Sequence, residues 1–106
     1  MAIIVKNLFA EFPAGGDRES FVTLFENADA KIEGILSRSY QTPPDFWYDQ
    51  PDDEWVMVLR GNASLEFADG TMMELTTGDY LTIPRHVKHR VARTSDETIW
   101  LAVHIK

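Results

Sequence analysis

Between Glu54 and Ile105, short apolar runs are broken every few residues by Gly, Pro, Asp or Asn, and no run is long enough for a helix of ordinary length. That rhythm is the strongest constraint on the fold. Glu54-Trp55-Val56-Met57-Val58-Leu59-Arg60 ends at Gly61-Asn62, Ala68-Asp69-Gly70 carries an Asp-Gly hairpin signal, Thr77-Gly78-Asp79 turns again, and Pro84 stops the run Tyr80-Leu81-Thr82-Ile83. Strands are expected over residues 20–26, 31–38, 54–60, 64–67, 72–75, 80–83, 87–92 and 98–105. Asn7 to Phe12 can make one helical turn that Pro13 stops, Gly15-Gly16-Asp17 reads as a loop, and Thr42-Pro43-Pro44-Asp45 breaks the pattern. Short strands at this spacing indicate an all-β sandwich or barrel. With 106 residues the expectation is one domain, 1–106, with an N-terminal turn and strands over 1–40 and a barrel core over 46–105.

Two strands have apolar residues on both faces. Val56 and Val58 oppose Trp55, Met57 and Leu59; Ile99, Leu101, Val103 and Ile105 oppose Trp100 and Ala102. A sheet with one solvated face alternates cleanly. The outer face is therefore expected to be covered by the N-terminal segment or by a second subunit, and a symmetric homodimer is the commonest way to do the latter.

The chain has no cysteine, which excludes disulfides, thiolate nucleophiles and iron–sulfur clusters. No apolar stretch approaches membrane-spanning length, and no basic-then-apolar leader opens the chain, so a cytoplasmic protein without membrane contact is expected. Net charge is −7, which disfavours nucleic acid as a partner. Charge is nevertheless segregated. Asp45, Asp49, Asp52, Asp53 and Glu54 form an acidic stretch, and Arg85, His86, Lys88, His89, Arg90 and Arg93 a basic one. They are either two solvated strand ends or two walls of a site for a small polar ligand.

Alternation points Glu54 to the side of Val56 and Val58, and His89 to the side of Val87 and Val91. An inward carboxylate is costly unless paired, protonated or bound to a metal. His89 is either a satisfied core histidine or a ligand; Glu54 either pairs with Arg60, Arg90 or Arg93 or serves a site. His104 shares a face with Trp100 and Ala102: it joins the site if that face is interior, and lies at the surface or an interface if the aliphatic face is interior, which is the arrangement expected here. Trp47 and Tyr48 suit stacking on a ligand or packing under the Pro43-Pro44 loop.

The stretch from Tyr48 to Arg93 resembles the cupin superfamily. Glu54, six residues and Gly61 match the end of the family's first motif; Gly78, five residues, Pro84, one residue, His86, two residues and His89 match the spacing of the second. The resemblance implies a double-stranded β-helix, or jelly-roll barrel, with a metal-centred site. Tyr48-Asp49-Gln50 stands where the family has His-x-His, His86 stands at the second motif's glycine, and Arg93 at its asparagine. Only Glu54 and His89 carry over as ligand types, with Gln50 as a weak third. The expectation is a divalent ion (Zn, Mn, Fe or Ni) held loosely by Gln50, Glu54 and His89, with loss of the metal as the competing reading. Proton transfer would fall to His86 or Tyr48, and a small polar or anionic ligand would meet Arg90, Arg93 and Trp47. The functions this implies are a metal-dependent isomerase, epimerase or dioxygenase, of the kind likened to the phosphomannose-isomerase barrel, or a non-catalytic binding or sensor module without metal.

Overall fold

A computed structural model describes residues 1–12 and 16–106. Pro13 and Gly15, expected to stop the first turn and to open the loop after it, lie outside the described residues. The first turn is a short 3₁₀ helix, Leu8–Ala10, capped by Asn7, whose Oδ1 accepts from the Phe9 amide at 2.9 Å. Eight strands follow: β1 (Glu19–Glu26), β2 (Ala30–Ser37), β3 (Asp53–Arg60), β4 (Asn62–Phe67), β5 (Met72–Thr76), β6 (Tyr80–Ile83), β7 (His89–Thr94) and β8 (Thr98–Ile105). All eight expected strands are present. β4 starts two residues earlier than the pattern suggested, and β7 starts at His89 and runs to Thr94, two residues further along than expected at each end.

The strands form two antiparallel sheets, β1-β2-β8-β3-β6 and β5-β4-β7. This is the two-sheet jelly roll expected from the sequence. The core between them is built from Val56, Val58, Ala63, Leu65, Leu75, Ile83, Trp100 and Ala102. Residues opposite one another across a ladder share a face. Glu54 is opposite Ile83 and His104, Val56 opposite Ala102, and Ile35 opposite Trp100. The inner face of β8 is therefore Trp100, Ala102 and His104. This corrects the expectation that the aliphatic face of β8 turns inward and leaves His104 at the surface.

The N-terminal segment covers part of the second apolar face, over Gly34; Trp55, Met57, Leu59, Leu101 and Val103 stay half-buried and Ile105 is exposed. On β2, Gly34 is buried beneath Leu8 and Phe12, and a Cβ added there would meet Leu8 and come within 3.2 Å of Phe12 and of Val22. A side chain at this position would push the segment off the sheet. Gly61 makes a different demand. It turns β3 into β4 with φ +81°, and a Cβ would meet the Glu97 carbonyl at 2.5 Å, so only glycine fits both the backbone and the space. Among the described residues, no helix is long and apolar enough to cross a membrane.

Candidate functional site

The acidic and basic stretches do meet. The loop before β3 runs along β7: Tyr48 and His89 exchange both backbone hydrogen bonds, at 2.8 and 3.1 Å, and the His86 amide donates to the Gln50 carbonyl at 2.8 Å. The side chain of Thr42 accepts from the Val91 amide at 3.0 Å, and its own amide donates to the Val91 carbonyl at 2.9 Å. This loop carries Tyr48 and Gln50 to the open edge between the sheets.

There a cavity of about 80 Å³ is lined by Glu19, Glu33, Tyr48, Gln50, Glu54, His89 and His104 among apolar residues that include Ile35, Leu65 and Trp100. That volume has room for several waters or part of a small ligand. Glu54 and His89, from opposite sheets, converge as their alternation required. They are 8% and 5% exposed, and His89 Nε2 is 3.8 Å from Glu54 Oε1. His89 Nδ1–H donates to the Val87 carbonyl at 2.9 Å, which fixes the tautomer and leaves the Nε2 lone pair facing Glu54. Tyr48 lies over the imidazole, with ring centroids 5.6 Å apart.

Sequence reasoning missed Glu19 and Glu33, and it set His104 at the surface. His104 Nε2 donates to Glu33 Oε1 at 2.8 Å and lies 3.9 Å from Glu54 Oε2. Glu19 stands on the same wall of β1. Alternation alone could have grouped Glu33 with Ile35, but Ile32 and Leu36 make the other face of β2 equally apolar.

The remaining expected site residues line other surfaces. His86 is exposed, with its Nδ1 2.8 Å from Asp49, and its φ of 62° keeps the left-handed backbone of the glycine it replaces. Arg90 bonds Glu66 at 3.2 Å and the Thr42 carbonyl at 2.9 Å, with its guanidinium 5.8 Å from the Trp47 ring. Arg93 bonds Asn62 at 2.8 Å and Glu74 at 3.4 Å. Arg85 and Asp53 pair at 3.6 Å.

The cavity pulls proton affinities in opposite directions. Burial pushes Glu54 up, opposed by the charge of His104 and reinforced by Glu33. Burial pushes His89 down, partly offset by its bond to Val87. The hydrogen bond to Glu33 raises His104 against its own burial, with further help from the charge of Glu54. Burial raises the Tyr48 phenol, with the Glu19 charge adding to the effect. Burial, with repulsion from Glu33 second, brings Glu19 up to about 7. A carboxyl raised in the folded state favours folding at low pH and loses that contribution as pH climbs from 4.5 through about 7. Glu19→Gln should therefore stabilise the protein at pH 8, by about 1–2 kcal/mol once solvent screening is allowed for, and leave it nearly unchanged at pH 4. Urea melts at the two pH values measure this, and equal effects at both would contradict it.

The donor set tests the metal that the resemblance implies. His104 gives its Nε2–H to Glu33, so that nitrogen turns no lone pair into the cavity. Gln50, Glu54 and His89 then supply two strong donors and an amide. Among the described residues, no group of three His, Asp or Glu side chains is arranged to hold an ion. The set does not fit a tightly held resident metal.

Residues 41–104 match the family model for the cupin domain. A search among curated proteins finds no match. Of solved structures, a candidate mannose-6-phosphate isomerase from Ralstonia eutropha is 45% identical, with 98% of this chain and 99% of that chain covered and a TM-score of 0.89. A cupin superfamily protein from Desulfitobacterium hafniense is 17% identical, with 92% and 86% covered and a TM-score of 0.77; a Neisseria meningitidis protein is 16% identical, with 97% and 100% covered and a TM-score of 0.76. The last two share the fold; with the 45% identity of the first and a family match over more than half the chain, this protein belongs to the cupin family.

Proposed function

We propose that the protein is an isomerase or epimerase that moves a proton on a small polar substrate, with Glu54 and the two imidazoles inside the barrel as its acid–base groups and no tightly held metal. The observation that carries this reading is the convergence of Glu33, Glu54, His89 and His104 in one cavity, with the proton affinities of Glu54 and His104 pushed up and that of His89 pushed down. Paired groups displaced in opposite directions are what acid–base chemistry near neutral pH requires.

Roles follow from the contacts. The hydrogen bond to Glu33 raises the proton affinity of His104, and the charge of His104 tempers the rise that burial gives Glu54, the group that accepts the proton. His89, kept neutral by burial, offers Nε2 as a second acceptor 3.8 Å away. Glu54 takes the proton from one substrate position and, as the carboxylic acid so formed, returns it to the neighbouring one. Tyr48 keeps its phenolic proton and can donate to a substrate oxygen. The name of the 45%-identical relative supports the isomerase class. The second reading is a loosely held divalent ion on Gln50, Glu54 and His89; the free Nε2 of His89, oriented through Val87, favours it. The ion would act there as a Lewis acid.

Solvent exchange tests the proposal. Incubated in D₂O with small aldoses, ketoses and amino sugars, chelator-treated protein should exchange the substrate proton beside the carbonyl, read by proton NMR. Glu54→Gln should lower that rate by about 10²–10⁴-fold. Exchange lost on chelation and restored by a divalent ion would overturn the proposal in favour of the second reading. No exchange with any sugar would overturn it in favour of a non-catalytic binding barrel.

A further inference from the structure

The charge lining the cavity bears on what can enter it. Glu19, Glu33 and Glu54 are the carboxylates of the wall, and no lysine or arginine lines it. Most of the basic stretch is engaged elsewhere: Arg85 by Asp53, His86 by Asp49, Arg90 by Glu66 and the Thr42 carbonyl, Arg93 by Asn62 and Glu74; Lys88 lies outside the cavity, beside Phe67 and Asp69. Lys31 approaches only the outer oxygen of Glu33, at 3.7 Å. His104 gives its Nε2–H to Glu33. That match leaves Glu54 with imidazoles at 3.8 and 3.9 Å and no hydrogen-bonded cation.

A phosphate or carboxylate needs the opposite surroundings: guanidinium or ammonium groups, or the amides at the start of a helix. Among the described residues the sole helical element is the three-residue turn Leu8–Ala10 on the outside of the sheet. The net charge of −7 adds a field that thins anions and gathers cations near the mouth. Phe21, Tyr48 and Trp100 supply ring surface for the body of a ligand and for a cation beside it.

We infer that the cavity takes a small hydroxylated ligand bearing a protonated amine, the amine lying between Glu54 and the Glu33–Glu19 wall, and that it discriminates against phosphorylated ligands. This rests on the cavity being the binding site of the proposed function, but not on its proton transfer. It also separates this chain's chemistry from the sugar phosphate in the name of the R. eutropha relative, and from the anionic ligand expected at Arg90 and Arg93.

Calorimetric titrations at neutral pH with D-mannosamine, D-mannose and D-mannose 6-phosphate form the test. The amine should bind about tenfold or more tightly than the phosphate ester, with the neutral sugar between. In the Glu33→Gln/Glu54→Gln double variant, checked for cooperative melting, the preference for amine over neutral sugar should collapse; Glu19→Gln should reduce it. Asp29→Asn, which removes the same kind of charge from the surface, should leave it intact. Phosphate binding equal to or tighter than amine binding would overturn the inference. So would absence of saturable amine binding, or a preference that survives in the double variant. Amine selection without solvent exchange would defeat the proton-transfer reading alone; exchange confined to the phosphate ester would defeat the charge inference alone.

Discussion

Trp100→Ala is expected to cost about 3–5 kcal/mol and to leave a protein that melts well below the parent or fails to fold near 37 °C. Trp100 is 4% exposed in the centre of β8, packed among Val58, Ala102 and Leu65 in the core and facing Ile35 across the ladder. Truncation removes the largest apolar side chain of that layer and leaves a void that close-packed sheets cannot collapse to fill. It also strands the Ser37 hydroxyl, fully buried and accepting the indole N–H at 3.1 Å, and an unsatisfied buried polar group adds its own penalty. Trp100→Phe separates the two contributions: most of the packing returns and the hydrogen bond does not, so a loss of about 1–3 kcal/mol is expected. Chemical denaturation of both variants measures this. A Trp100→Ala loss below about 1 kcal/mol would mean that the sheets are not packed through this residue.

Replacing Glu54 by methionine should have the reverse effect on stability and the largest effect on function. The carboxyl is buried, and burial raises its proton affinity; in the folded state its ionised form is therefore disfavoured, and the penalty grows as pH rises through the raised value. A methionine of similar length removes it. Glu54→Met is expected to gain about 1–3 kcal/mol at pH 8, and clearly less at pH 5, in line with the gains seen when buried ionic groups give way to apolar ones, while solvent exchange into substrate disappears. His104 keeps its partner Glu33, at 2.8 Å in the parent, so the variant does not strand the imidazole. Stability gained while activity is lost would mark Glu54 as a residue held for chemistry at the expense of folding. Destabilisation by more than about 1 kcal/mol would show that Glu54 holds the barrel together.

The strands were legible in the sequence because each declares itself locally. Alternating apolar residues name a strand, and Gly61, Asp69-Gly70, Gly78 and Pro84 end it. Glu54 and His89 were legible for the same reason: each shares an inward face with valines a few positions away. The second motif was readable even through a substitution, since His86 holds at φ 62° the turn that glycine usually supplies.

Glu33 and His104 were not legible, and the cause is pairing register. The two touch across 71 positions of sequence, and His104 faces inward because the β3–β8 ladder sets it opposite Glu54. Nothing in β8 alone says which of its two apolar faces is the inside, since Leu101, Val103 and Ile105 are as apolar as Trp100 and Ala102, and Leu8 and Phe12 pack on the outer side over neighbouring Gly34. The partners of the basic stretch were equally hidden. Its charge suggested an anion site, and only the fold shows that Arg85, Arg90 and Arg93 each have a protein acceptor.

β1 supplies Glu19 and Phe21 to the cavity yet stands at the rim of its sheet, bonded to β2 alone. A wall held by a single ladder can peel outward at the cost of local hydrogen bonds while the remaining strands stay paired. Entry to the interior is thereby uncoupled from global unfolding: the barrel can admit a solute by fraying one hem of its fabric, with the acid–base groups on β3, β7 and β8 keeping their places throughout.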